Sequence, residues 1–112
     1  ILYIEPMNRL NAAALGFDML SEDTRRAAME AAVRSGAAHM SGRVRLVQEI
    51  DVVKQPGFLI YLPLYRGGDV ANSRNLYGWV YSPLRAHDLF SAIFTLHDIS
   101  GVTVEVYDVQ VA

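Results

Sequence analysis

Nine residues without a charge, Gly57-Phe58-Leu59-Ile60-Tyr61-Leu62-Pro63-Leu64-Tyr65, stand between Gln55-Pro56 and Arg66-Gly67-Gly68. Their number, their β-branched and aromatic content and the flanking turn residues predict a strand. Alternation puts Phe58, Ile60, Leu62 and Leu64 on one face and Leu59, Tyr61, Pro63 and Tyr65 on the other. The first face is wholly aliphatic and aromatic and is expected to meet the core. The second carries two phenols and a proline. It is expected to meet something more polar, either a pocket or, as an ordinary sheet face, solvent reached by the tyrosine hydroxyls.

The rest of the pattern supplies shorter elements. Residues 1–5 read as a strand stopped by Pro6, and residues 12–15 as one helical turn ended by Gly16. Ser21 caps a helix that runs to Ser35 and is ended by Gly36, with Glu22 and Asp23 at its positive end. Ala28, Met29, Ala32 and Val33 make its narrow apolar stripe. Arg25 and Arg26 suit either an anion or a solvated outer face. Residues 43–50 alternate, with Val44, Leu46 and Ile50 inward, and predict a half-buried strand. A turn over 51–56 would join it to the central strand as an antiparallel hairpin. Residues 66–75 read as a loop and 76–84 as another strand, with Tyr77, Trp79 and Tyr81 on one face. Gly78 in that strand marks either room for a ligand or a bulge. Residues 85–97 fit a second helix with a broad apolar face, and 102–109 alternate as a last strand. Hairpin-joined strands with helices gathered elsewhere mean an α+β fold with an antiparallel sheet.

Composition narrows the function. A chain of 112 residues, 52% hydrophobic, suits one modest domain rather than two or a disordered segment. The net charge of −2, without a basic cluster, argues against nucleic acid. There is no cysteine, and His39, His87 and His97 form no ligand pair, so no metal or other cofactor is expected. No apolar run is long enough to span a membrane, so no direct membrane contact is expected of this segment. The chain reads as part of a longer protein. No catalytic motif is present, and the chain itself is not expected to be an enzyme.

Several ordered stretches resemble a CHASE domain. They are Tyr3-Ile4-Glu5-Pro6, Asn11 to Asp18, Arg25 to Gly36, Ser41 to Glu49, Gly57 to Tyr65 and Gly78-Trp79-Val80-Tyr81-Ser82-Pro83-Leu84. The resemblance implies an extracytoplasmic sensor, the periplasmic or extracellular part of an inner-membrane protein. Such domains stand between two transmembrane helices, ahead of a histidine kinase or a cyclic-di-GMP enzyme. Their fold is a stalk helix followed by two PAS-like modules, with ligand in the membrane-distal one. Residues 1–100 look like that distal module, a PAS-like antiparallel sheet with flanking helices, and 101–112 like the first strand of the next. A homodimer would form through the stalk helix, which these residues do not include.

The same resemblance implies ligand-binding residues. Asp18 matches an aspartate that hydrogen-bonds the adenine ring in the plant cytokinin receptors. Met40 matches a residue that contacts ligand through its backbone. Tyr61, Gly78 and Leu84 match pocket-lining positions on the two long strands, and Tyr81 lies beside them. Tyr61 and Tyr81 are bulkier than the plant residues there, so the partner implied is a small molecule of unidentified type. Asp18 has a local alternative, capping a turn or bridging to Arg25 or Arg26. The chain as a whole has one too: a structural or dimerisation module whose pocket is filled by Tyr61, Trp79 and Tyr81. An internal cavity with polar residues on its wall is expected only of a ligand-binding domain.

Overall fold

The computed structural model describes residues 1–47, 55–67, 73–98 and 100–109. Its central strand is the uncharged stretch, β2, Gly57–Tyr65. β2 pairs antiparallel with the two-residue β1, His39–Met40, on one side and with β3, Leu76–Arg85, on the other. The β1 ladder stops opposite Tyr61, so Pro63 lies where β2 has become an edge on that side and its missing N–H is tolerated. Along β3 the register runs from Gly57 opposite Arg85 to Leu64 opposite Gly78, with a shift between Leu64 and Tyr65. With the helices described next, this is an α+β fold.

A short helix α1, Arg9–Ala12, is capped by the Asn8 side chain, and Gly16 follows in the left-handed region. Then Asp18 opens a 3-10 turn, Met19–Ser21, and helix α2 covers Asp23–Ser35. Ser21 does not cap α2. It is drawn into the 3-10 turn, where its hydroxyl donates to the Asp18 carbonyl. The Glu22 carboxylate caps instead, accepting from the amides of Thr24 and Arg25 at 2.8 and 3.0 Å. Gly36 ends the helix at φ 67°, as a left-handed cap.

Helix α2 lies on the tyrosine side of β2. Ala28, Met29 and Ala32 pack there with Leu59 and Tyr61 in one cluster with Met19, Val44 and Leu46. Leu59 and Tyr61 are 1% and 0% exposed, whereas Ile60, Leu62 and Leu64 face outward. The expected assignment of faces is therefore reversed. Both faces of β2 are largely apolar, so alternation separates two sets of residues without saying which set is covered. The helix sits on the tyrosine side, where the hydroxyls find partners. Tyr61 donates to the Met19 sulfur at 3.1 Å. Tyr65 donates at 3.2 Å to the Val33 carbonyl, one of the last-turn carbonyls that lack a helical partner. On β3, the Trp79 indole donates to the Met29 carbonyl at 3.0 Å.

Arg25 is another departure. It is neither solvated nor free for an anion, being 5% exposed with its guanidinium bonded to Glu22 and to the Arg45 carbonyl. The same group lies 5.3 Å from the centre of the Phe17 ring. Arg26, on the outside, pairs with Asp23.

Val44 and Leu46 are buried as their alternation implies, but the described part of the segment, 43–47, forms no strand beyond a single bridge from Val44 to Gly57. Ile50, the turn over 51–54 and most of the loop after Gly67 lie outside the described residues. Residues 1–5 make no ladder either. They fold back so that Gly16 donates to the Ile1 carbonyl and the Ile1 ammonium to the Phe17 carbonyl. Helix α3, Ala86–His97, follows β3 directly, and Gln55 clasps its first turn through both the backbone and the carboxylate of Asp88. Residues 102–109 lie outside any ladder among the described residues, held where Asp108 accepts from the Arg43 amide at 2.8 Å. Their alternation supplies strand propensity, but a ladder also needs an unpaired edge beside it. No helix among the described residues is long and apolar enough to cross a membrane.

Two consequences can be measured. A Cβ on Gly57 would lie 2.5 Å from the Leu46 side chain, so Gly57→Ala is expected to lower unfolding stability by about 1–3 kcal/mol. Denaturant titration of G57A with and without L46A checks this, because the smaller partner should recover part of the loss. Burial raises the Glu22 carboxyl, but the hydrogen bonds from Thr24 and Arg25 outweigh it, and its pKa is lowered in the folded chain. Its contribution is then complete above the unfolded carboxyl value of roughly 4.3 and is lost as pH falls through the lower folded value. Glu22→Gln is expected to flatten the acid side of a plot of melting temperature against pH, leaving the neutral side parallel to wild type.

Candidate functional site

A cleft of about 680 Å³ opens where the sheet meets the folded-back amino-terminal segment. Its floor is Tyr61 of β2 and Met29 of α2. Residues 77–81 of β3 form one wall, and residues 1–5 with Asp18, Met19 and Leu20 form the other. Each wall follows from a local feature already described. The Gly16 turn and the hydrogen bonds to Ile1 return the segment beside the sheet. The 3-10 turn aims Met19 inward, where it is 6% exposed.

Asp18, Tyr61, Gly78 and Tyr81 are brought together around this cleft. Met40 and Leu84 are not. Met40 is registered with Ile60 and Leu84 with Phe58, which places both on the outward face, across the sheet from Tyr61. The parity of the strands separates them: for Met40 it depends on the register of the short β1, whereas the three-residue step from Tyr81 already sets Leu84 on the other face of β3. Met40 instead borders a second depression of about 450 Å³ beside Gly42 and Asp108. Gly78, opposite Leu64, shares the outward parity of Leu84 but borders the cleft beside the register shift, and a Cβ there would meet no described atom within 4 Å. No close neighbour therefore requires a glycine at that position.

The polar groups differ in how well they are satisfied. Asp18 accepts from the Leu20 amide through Oδ1 at 3.0 Å, so it does cap its turn. It bridges to neither arginine, since Arg25 and Arg26 are paired with Glu22 and Asp23. Its Oδ2 has no partner among the described residues. Tyr61 and Tyr81 are opposite each other in the ladder, with ring centres 6.3 Å apart. The Tyr61 hydroxyl is spent on Met19, whereas the buried Tyr81 hydroxyl has no hydrogen-bond partner among the described residues. Burial raises both phenols, Tyr61 to about 12. The hydroxyls are therefore protonated donors at neutral pH.

Residues 1–5, Met19 and Met29 line the cleft without having been singled out in the sequence. Met19 was legible as the neighbour of Asp18. The others depend on the chain returning on itself. Among the described residues, no group of His, Cys, Asp and Glu could hold a metal ion.

The raised phenol has a stability consequence. Because the folded pKa of Tyr61 lies above the unfolded value of roughly 10, its contribution is whole below that value and fades as pH rises toward the folded one. Tyr61→Phe should abolish this alkaline loss. It should also lower stability near neutrality by about 0.5–1.5 kcal/mol, through loss of the bond to Met19. Unfolding curves across the alkaline range decide both points.

No curated protein matches the chain. The family model for the CHASE domain matches residues 1–112. CHASE domains are extracytoplasmic sensory domains of signalling receptors. The match extends from the folded-back segment that walls the cleft to the last residue, and the chain belongs to the CHASE domain family.

Proposed function

We propose that this chain is the small-molecule-binding, membrane-distal PAS-like module of a transmembrane receptor, and that the ligand sits in the cleft over Tyr61 and Tyr81. The observation that carries the reading is that Tyr81, a wall residue of that cleft, holds a buried hydroxyl without a partner among the described residues. An unsatisfied buried hydroxyl costs about 1–3 kcal/mol, which a bound ligand with a matching polar atom would offset. The volume lies in the range of ordinary small-molecule sites, roughly 300–1,000 Å³. Asp18, Tyr61, Gly78 and Tyr81 form the proposed site. Met40 and Leu84, across the sheet, are left out of it.

In this reading the chain has no catalysis of its own, and the receptor's output is a histidine kinase or a cyclic-di-GMP enzyme. The site lies on the periplasmic or extracellular side, and dimerisation belongs to a stalk helix. Residues 101–112 begin the following module. The tether from Asp108 to Arg43 links that segment to the chain just after β1, and so to the sheet that floors the cleft. Ligand would bias two packings of sheet and tether, by no more than its difference in affinity for the two. The alternative, an interaction module without ligand, draws on the outward sheet face, where Ile60, Leu62, Leu64 and Val80 are exposed.

Thermal unfolding against a panel of adenine derivatives, amines and amino acids tests the reading. A ligand at about 100 times its dissociation constant adds roughly 2.7 kcal/mol. That should raise the melting temperature by about 10–20 °C. Tyr81→Phe and Asp18→Asn, which keeps an oxygen for the Leu20 cap, should reduce the shift. A broad panel without any shift, and without any change in Trp79 fluorescence, would favour the interaction module.

A further inference from the structure

We infer that the cleft selects organic ammonium ions over neutral and anionic molecules of the same shape. This deepens the proposed function and rests on the cleft being the ligand site. Five aromatic side chains, Tyr3, Tyr61, Tyr77, Trp79 and Tyr81, line it. Aromatic faces attract a cation through the ring quadrupole, and more strongly when water is excluded. The ring of Tyr77 at the rim already holds a cation in this way, with the Arg66 guanidinium 5.4 Å from its centre.

The charged groups point the same way. Asp18 and Glu5 both border the cleft, and among the described residues the nearest counterpart is Arg66, which stands on the Tyr77 ring at the rim and does not line the interior. The Ile1 nitrogen at its edge donates to the Phe17 carbonyl at 2.7 Å. Arg25, the cation buried nearby, is matched by Glu22 at 3.1 Å. A carboxylate or phosphate entering the cleft would meet two like charges and, among the described residues, no Lys, Arg or His side chain on its lining. An ammonium group would meet Oδ2 of Asp18, which has no partner among the described residues, and aromatic side chains around its carbon skeleton. Glu5, shared with the Tyr3 hydroxyl at 2.9 Å, adds negative potential at the mouth. A neutral ligand would use the rings but leave the Asp18 charge without a counter-ion.

Trp79, the single tryptophan, lines the cleft and reports on it by fluorescence. Three probes of nearly one shape separate the charges: phenethylammonium, 2-phenylethanol and phenylacetate, titrated at neutral pH and low salt. The ammonium is expected to bind at least ~10-fold more tightly than the alcohol, with no saturable binding of the carboxylate and with affinity falling as salt is added. Asp18→Asn should bring the ammonium down to the level of the alcohol. If the alcohol or the carboxylate binds as well as the ammonium, the charge selectivity is wrong and the cleft remains a ligand site. If none of the three alters Trp79 at millimolar concentration in a folded chain, the selectivity and the ligand site fall together.

Discussion

The fold depends on the enclosure of one side chain, Tyr61. It is 0% exposed, lies under α2, faces Tyr81 across the ladder and donates its hydroxyl to the Met19 sulfur. A ring of that size with a polar tip can be buried only if the tip is satisfied and the neighbours are small enough to close over it. Ala28 and Ala32 supply the small surface, and the 3-10 turn that Asp18 opens supplies the sulfur. The position of α2 over the sheet, the inward turn of Met19 and the floor of the cleft are consequences of that single enclosure.

The cleft exists because this enclosure is incomplete to one side. Beyond Tyr61, the sheet is walled by the returning amino-terminal segment, which two hydrogen bonds to Ile1 hold in place. Tyr81 is only partly buried, but its hydroxyl is buried without a partner among the described residues, which a core would not normally tolerate. Sensory domains need a state that is not fully satisfied alone, since a ligand can bias only an equilibrium in which it completes one side. A wall with two carboxylates and an unmatched phenol is incomplete in a chemically specific way.

The described residues leave two other surfaces unpaired. The outward face of the sheet is apolar, and the extended residues 102–109 have strand propensity without a ladder. Membership of the CHASE family makes sense of such surfaces in physical terms. A sensory domain must convey a change of packing to something outside itself, and covered faces or paired edges would isolate it. Asp108, reaching back to Arg43, couples that segment to the stretch just after β1.

Local rules were enough where one physical cause acts alone. The uncharged run with turn residues on both sides defines β2, and Gly36 can end α2 because only glycine adopts its left-handed angle without strain. Helix α3 and strand β3 follow from periodicity in the same way, as does the α+β class. The family resemblance, carried by ordered motifs, placed Asp18 beside Tyr61, Gly78 and Tyr81. Competition between two locally acceptable answers was left to the tertiary structure. Either face of β2 could be covered, and partners for the tyrosine hydroxyls decided the choice. Ser21 and Glu22 could both cap α2, and the turn begun by Asp18 took Ser21. Arg25 looks solvated until Glu22, Arg45 and Phe17 surround it. The alternation at 43–47 and 102–109 records which residues are buried or β-prone, while a ladder requires a neighbouring edge that the sequence does not show. Met40 parted from the cleft for the same reason, since its side is fixed only by the register of β1, whereas alternation along β3 already opposed Leu84 to Tyr81.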